Sequence, residues 1–127
     1  MPQRPATKSK AIRMISTDPT QPLCRTGADL PAHIGLAVTV QGRLVLEPFG
    51  HAGRPQVDWP ALHLLDGRRV LLGSPWLPAQ RPAQAQIDSL LGQAVQASGP
   101  LHGAPPGSLQ NIAIPCLSPV GSLQGLP

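Results

Sequence analysis

From His33 onward, apolar and polar residues alternate along the chain. Ile34, Leu36, Val38, Val40, Gly42, Leu44 and Leu46 hold the even positions. Gly35, Ala37, Thr39, Gln41, Arg43, Val45 and Glu47 hold the odd ones. A period of two sustained over this length predicts one long strand with a buried face. Gly42, in its middle, predicts a bulge or sharp bend. A loop rich in Gly and Pro follows over 48–60. ALHLLDGRRVLLG then reads as a hairpin, because Asp66-Gly67 is a strong turn signal. A three-residue loop of Leu65, Asp66 and Gly67, with Gly67 left-handed, pairs Leu64 with Arg68. Leu62, Leu64, Val70 and Leu72 then share one face. A two-residue loop divides them between faces, so burial selects the longer loop.

PAQAQIDSLLG predicts a short helix. Pro82 suits its first turn, Gly92 its C-cap, and Ala83, Ile87, Leu90 and Leu91 form one apolar stripe. A fourth strand places Val95, Ala97 and Leu101 on one side. A fifth is read from LQNIAIPC, with Ile112, Ile114 and Cys116 in alternation, and Pro115 marks it as an edge strand or as nearing its end. One phrase occurs twice: IGLAVTVQGRL at 34–44 and LGQAVQASGPL at 91–101 share the frame G-x-A-V-x-x-x-G-x-L.

Three strands, a helix and two strands, with the first and fourth carrying the same glycine-bent phrase, resemble the OB (oligonucleotide/oligosaccharide-binding) fold. That fold is a mainly β, five-stranded, partly open Greek-key barrel. The resemblance rests on element order and on the repeated phrase, and no specific family signature accompanies it. It implies a barrel domain over 31–118, an irregular, Pro-rich basic leader over 1–30 and a frayed tail over 119–127. It also makes the two phrases equivalent barrel strands, apolar side inward and Gly at the bend.

Composition narrows this picture. Aromatics are limited to Phe49, Trp59 and Trp76, so the core is expected to be aliphatic, while 17 Pro and 13 Gly bring the chain near low-complexity composition. The net charge of +4 belongs to Arg4, Lys8, Lys10 and Arg13; beyond them, six basic and six acidic residues cancel. A basic tail attracts phosphates without reading sequence, and equally serves as a solubilising leader. Met14 offers an alternative start. The first residues are basic but lack the apolar stretch of a signal peptide, and no apolar run approaches a membrane span. A cytoplasmic location with no membrane association is expected. Cys24 and Cys116 allow at most one disulfide.

Chemical motifs are sparse. There is no P-loop, no G-x-G-x-x-G, no G-x-S-x-G and no nucleophile signature at either cysteine. No catalytic residue, metal site or cofactor is assigned, and an enzyme is not expected. A small metal- or His-dependent hydrolase built on His51, Asp58 and His63 is the third-ranked reading. The first is a binding module for single-stranded DNA or RNA. On the OB resemblance, the outward face of strands one to three presents Thr39, Gln41, Arg43, His63, Arg69 and Leu71. Arg43, Arg54, Arg68 and Arg69 would meet phosphates, with His63 on the same face. Phe49, Trp59 or Trp76 would stack on bases, although the same aromatics are equally suited to fill or cap a small core. The second reading is a protein-interaction or assembly module, with a protein partner or a homodimer. It would use the uncharged C-terminal third and the edge strand LQNIAIP.

Overall fold

The computed structural model describes residues 21–49, 57–108 and 113–126. The long alternation becomes a strand of unusual length. After β1 (Leu23–Cys24), β2 runs from Ala37 to Phe49 as 13 residues. It is followed by β3 (Val57–His63), β4 (Arg69–Leu72), the helix α1 (Gln84–Leu90), β5 (Ala94–His102), β6 (Cys116–Leu117) and β7 (Ser122–Gly125). The protein is mainly β, and its strands form one seven-stranded sheet. No helix among the described residues is long and apolar enough to cross a membrane.

The pairings explain the length of β2. Its first half lies antiparallel to β5, from Ala37↔Pro100 to Arg43↔Ala94, and its second half lies antiparallel to β3, from Arg43↔His63 to Phe49↔Val57. β3 pairs with β4, β4 runs parallel to β6, and β6 pairs antiparallel with β5. The circuit of hydrogen-bonded neighbours therefore leaves β2 through β3 and returns to it through β5. The change of partner falls at Gly42. A Cβ built there would stand 2.6 Å from the carbonyl oxygen of His63, so the bend leaves no room for a side chain.

The repeated phrase has a physical reading. β2 and β5 pair with each other, and the valine of each copy faces the inner glycine of the other, Val38↔Gly99 and Val95↔Gly42. The flanking bonds repeat as well. Gly35 N–H donates to Leu101 O at 2.8 Å and Gly92 N–H to Leu44 O at 2.7 Å; Leu101 N–H donates to Leu36 O and Leu44 N–H to Gln93 O. Gly35 and Gly92, which open the two copies, both have positive φ, 92° and 81°. The two segments are thus related by a local pseudo-two-fold axis between Val40 and its partner Ala97, and one solution to strand pairing is written twice. Val38, Val40 and Leu44 from one copy, and Val95, Ala97 and Leu101 from the other, are fully buried.

These residues join Leu62, Leu64, Val70, Leu72 and Leu117 in the main core. The hairpin has the three-residue loop: Leu64 N–H donates to Arg68 O, Gly67 N–H donates to Leu64 O, and Gly67 has φ 86°. α1 is shorter than its pattern. Only Ile87 is fully buried, Leu90 packs partly against the core, and Leu91 leaves the helical conformation and is exposed.

Four expectations are corrected. Ile34 and Leu36 are exposed, because β2 begins only at Ala37. The fifth strand does not run through LQNIAIPC: β6 begins at Cys116, after Pro115, and lies between β4 and β5 rather than at an edge. Its Leu109–Ile112 portion lies outside the described residues. The tail after 119 is not frayed, since β7 pairs with β5 from Val95↔Gly125 to Ser98↔Ser122 and buries Leu123. Nor is the leader irregular up to 30: β1 lies parallel to β2 through Leu23↔Thr39 and Cys24↔Val40, and Cys24 and Leu30 enter the core. Short polar or Pro-bearing segments gain their order here from a neighbouring strand, which leaves no local periodicity to read.

Candidate functional site

Two of the residues singled out for phosphate contact, Arg43 and Arg69, come together with His63. Arg43 on β2 pairs with His63 on β3, which pairs with Arg69 on β4, so the three side chains form one row across adjacent strands. Neighbouring strands lie about 4.8 Å apart, close enough for one carboxylate to serve two members of the row. Glu47 does this: its carboxylate accepts from Arg69 Nη1 at 2.7 Å and lies 3.0 Å from His63 Nε2. The Arg69 hydrogen bond, with further help from His63, holds the Glu47 carboxyl below the usual carboxylate range although burial opposes it. Arg43 is exposed and makes no hydrogen bond or ion pair to any described residue.

Beside Arg43 the surface is concave. A groove of about 660 Å³ runs past Gly42, and its lining mixes the polar residues Arg25, Gln41, Arg43 and His63 with aliphatic residues that include Leu65 and Leu126. Among the described residues no Asp or Glu lines it. Arg25 comes from the segment that follows β1. Its Nε donates to Gln41 Oε1 at 3.1 Å, and Gln41 in turn reaches Gln96 at 3.4 Å. The guanidinium is therefore held by one nitrogen while its terminal fork has no described partner. Asp29 fastens the same segment from outside the groove by accepting from the backbone N–H groups of Arg25 and Thr26, which lowers its carboxyl pKa.

The remaining candidates are elsewhere. Arg68 is exposed at the hairpin, its side chain lying over Gly27. Trp59 is buried at 4 % exposure and closes a second, smaller apolar cluster with Ala61, Leu71 and Cys116 on the sheet face away from the main core. Its indole N–H is shared between Leu72 O and Gly73 O, and Arg81 sits 5.2 Å above its ring. The expected outward face is thus covered along much of its length: Leu71 is buried under this cluster, and Thr39 under Gln21 and Pro22. Trp76 is half-buried beside Gly107, past the end of β4 opposite to Arg69. Arg54 and the side chain of Phe49 lie outside the described residues.

The hydrolase grouping is not assembled by its described members. Asp58 and His63 are five positions apart on one strand, about 16 Å at strand rise, and face opposite sides; His51 lies outside the described residues. Among the described residues no group of His, Cys, Asp and Glu could hold a metal ion. Cys24 and Cys116 are both free and buried. Burial pushes the Cys116 thiol up to about 12 and raises that of Cys24 as well.

The sequence reading missed Arg25 and Leu65. Arg25 sits among turn formers in the expected leader, and nothing local ties it to the sheet. Gln41, by contrast, was legible as an outward position of β2. Comparison with protein-family models, curated proteins and solved structures finds no match. Chemically, two guanidinium groups, one steadied by Gln41 and one free, with no described carboxylate paired to either, suit an anion such as phosphate.

Proposed function

We propose that the circuit β2–β3–β4–β6–β5 is a five-stranded OB-type barrel, and that the protein is a non-enzymatic binding module for single-stranded nucleic acid. Two features support the barrel: β4 and β6, third and fifth of these five strands in chain order, run parallel, and the helix separates the third, β4, from the fourth, β5. The observation that carries the function is the groove beside Gly42, where Arg25 and Arg43, at one end of the Arg43–His63–Arg69 row, have no acidic side chain paired to them among the described residues. Phosphates would engage Arg25 and Arg43, with Arg68 and Arg69 flanking. Trp59 has no open face for stacking and is assigned to the fold.

Fluorescence anisotropy of a labelled single-stranded oligonucleotide tests this reading. Two phosphate contacts give a salt slope of about −1.4, so raising salt from about 50 mM to about 200 mM weakens binding about 7-fold. Arg43→Ala lowers affinity at low salt and removes about 0.7 from that slope. A full-length variant carrying Arg4→Ser, Lys8→Ser, Lys10→Ser and Arg13→Ser retains the Arg43-dependent part. Binding lost in that variant and untouched by Arg43→Ala assigns the affinity to the basic tail and refutes the groove. Absence of binding in low salt refutes the function.

A further inference from the structure

We infer that the groove beside Gly42 receives one nucleotide unit in two halves, its phosphate on Arg25 and Arg43 and its base on an aliphatic shelf headed by Leu65. The inference rests on the nucleic-acid reading and specifies how that site holds its ligand.

Leu65 is 83 % exposed, the most exposed large apolar side chain among the described residues. A single exposed leucine is ordinary; what distinguishes this one is how firmly it is placed. Its N–H donates to the carbonyl of Arg25 at 3.1 Å. The next residue, Asp66, accepts from Gly27 N–H at 2.8 Å and from Arg68 N–H at 3.2 Å. The hairpin tip is thus pinned at two points to the segment that supplies Arg25, so an anion-binding fork and an apolar side chain are held in fixed relation in the lining of one groove. Such preorganisation lowers the ordering cost of binding.

The shape of the lining states what the occupant must offer. Its charged groups among the described residues are all basic, and Val45, Leu64, Leu65, Ala94 and Leu126 supply its aliphatic surface. An inorganic anion would use only the basic groups, and an uncharged apolar molecule only the aliphatic surface. A nucleotide carries a phosphate and a flat base within the dimensions of a groove of about 660 Å³. No aromatic side chain among the described residues lines it, so the base packs on methyl groups. This contact tolerates any base, since every base has a flat face.

The test compares a natural single-stranded oligonucleotide with an abasic strand of equal length, each titrated into the full chain at low salt, and repeats both titrations with Leu65→Ser. Leu65 is solvent-exposed, and circular dichroism confirms the fold of the variant. The expected result is about 10-fold weaker binding of the abasic strand, of the order that covering one exposed leucine side chain supplies. Leu65→Ser loses a similar factor for the natural strand and nothing for the abasic one. Equal affinity of the wild-type chain for the two strands overturns the shelf while leaving the nucleic-acid reading in place. A Leu65→Ser variant that binds the natural strand as well as the wild type does likewise. Failure of both strands to bind the wild-type chain overturns the inference together with the function it rests on.

Discussion

Replacing Gly42 by alanine adds one methyl group at the place where β2 changes partners. The new Cβ would stand 2.6 Å from the carbonyl oxygen of His63 and 3.1 Å from its carbonyl carbon, and both are backbone atoms that no rotamer change can move. Either β3 shifts or β2 loses its bend. Overfilling of this kind costs about 1–3 kcal/mol, and a backbone obstacle places Gly42→Ala near the middle, at about 2 kcal/mol. For a chain of this size that lowers Tm by about 8 °C. The pseudo-symmetry extends the prediction to Gly99, whose added Cβ would collide with the carbonyl oxygen of Pro119. Gly92 supplies the contrast, because its φ is 81° and nothing lies within 4 Å of its built Cβ. Its cost is conformational, about 1–2 kcal/mol for alanine, and asparagine, which tolerates the left-handed region, recovers most of it. At Gly42 asparagine is worse than alanine, because the cost is steric. Urea unfolding of the five variants measures all of this. Equal stability of Gly42→Ala and wild type, or rescue of Gly42 by asparagine, would refute the close-approach argument.

Three further outcomes are expected. Trp59→Ala, which empties the smaller apolar cluster and leaves two carbonyls without their indole donor, destabilises by about 3–5 kcal/mol in the same assay, whereas Trp59→Phe costs about 1–2 kcal/mol. Glu47→Gln leaves Arg69 and His63 without their carboxylate, so an oligonucleotide binds about 2–3-fold more tightly at low salt. Because the folded pKa of Glu47 is depressed, its stabilisation is present above the unfolded value and lost as pH falls through the folded one. The variant therefore shows a shallower acid-side decline in unfolding free energy, by no more than about 1 kcal/mol for so exposed a network. Cys116 has the opposite sign. Its folded pKa of about 12 lies above the unfolded value, so stability falls as pH rises past about 9. Cys116→Ala flattens that alkaline limb, and a thiol reagent labels neither cysteine until the protein is unfolded.

Long-range order was legible where a period ran long enough to commit a face. The alternation through β2, the Asp66-Gly67 turn with its three-residue loop, and the inward set of β5 all follow from burial acting on neighbouring positions. The elements that escaped are short. β1 and β6 have two residues each, too few for any period, and exist because an adjacent strand offers hydrogen-bond partners. β7 is interrupted by turn formers and is held by β5 through one buried leucine. The site divides in the same way. Arg43, His63 and Arg69 were legible because strand parity and hairpin register together set a row. Arg25 reaches the groove through the parallel pairing of β1, which no local pattern announces. The two tryptophans illustrate the limit of composition: residue type suggests stacking or core, and only the neighbours of Trp59 decide for core.

The circuit of pairings has a consequence for how the chain avoids its own kind. After Asp88 the sequence contains no Asp, Glu, Lys or Arg, so β5, β6 and β7 lack the charges by which exposed strands commonly repel a second copy. Protection comes instead from connectivity. Each long strand is engaged on both sides over part of its length, and the strands left at the margins, β1 and β7, have only two and four residues. Opening the β2–β5 seam would at once present a nine-residue strand without a single charge. The twin glycine-bearing phrases that close this seam thus keep β5 paired along its length, and a partly unfolded chain is expected to aggregate through it.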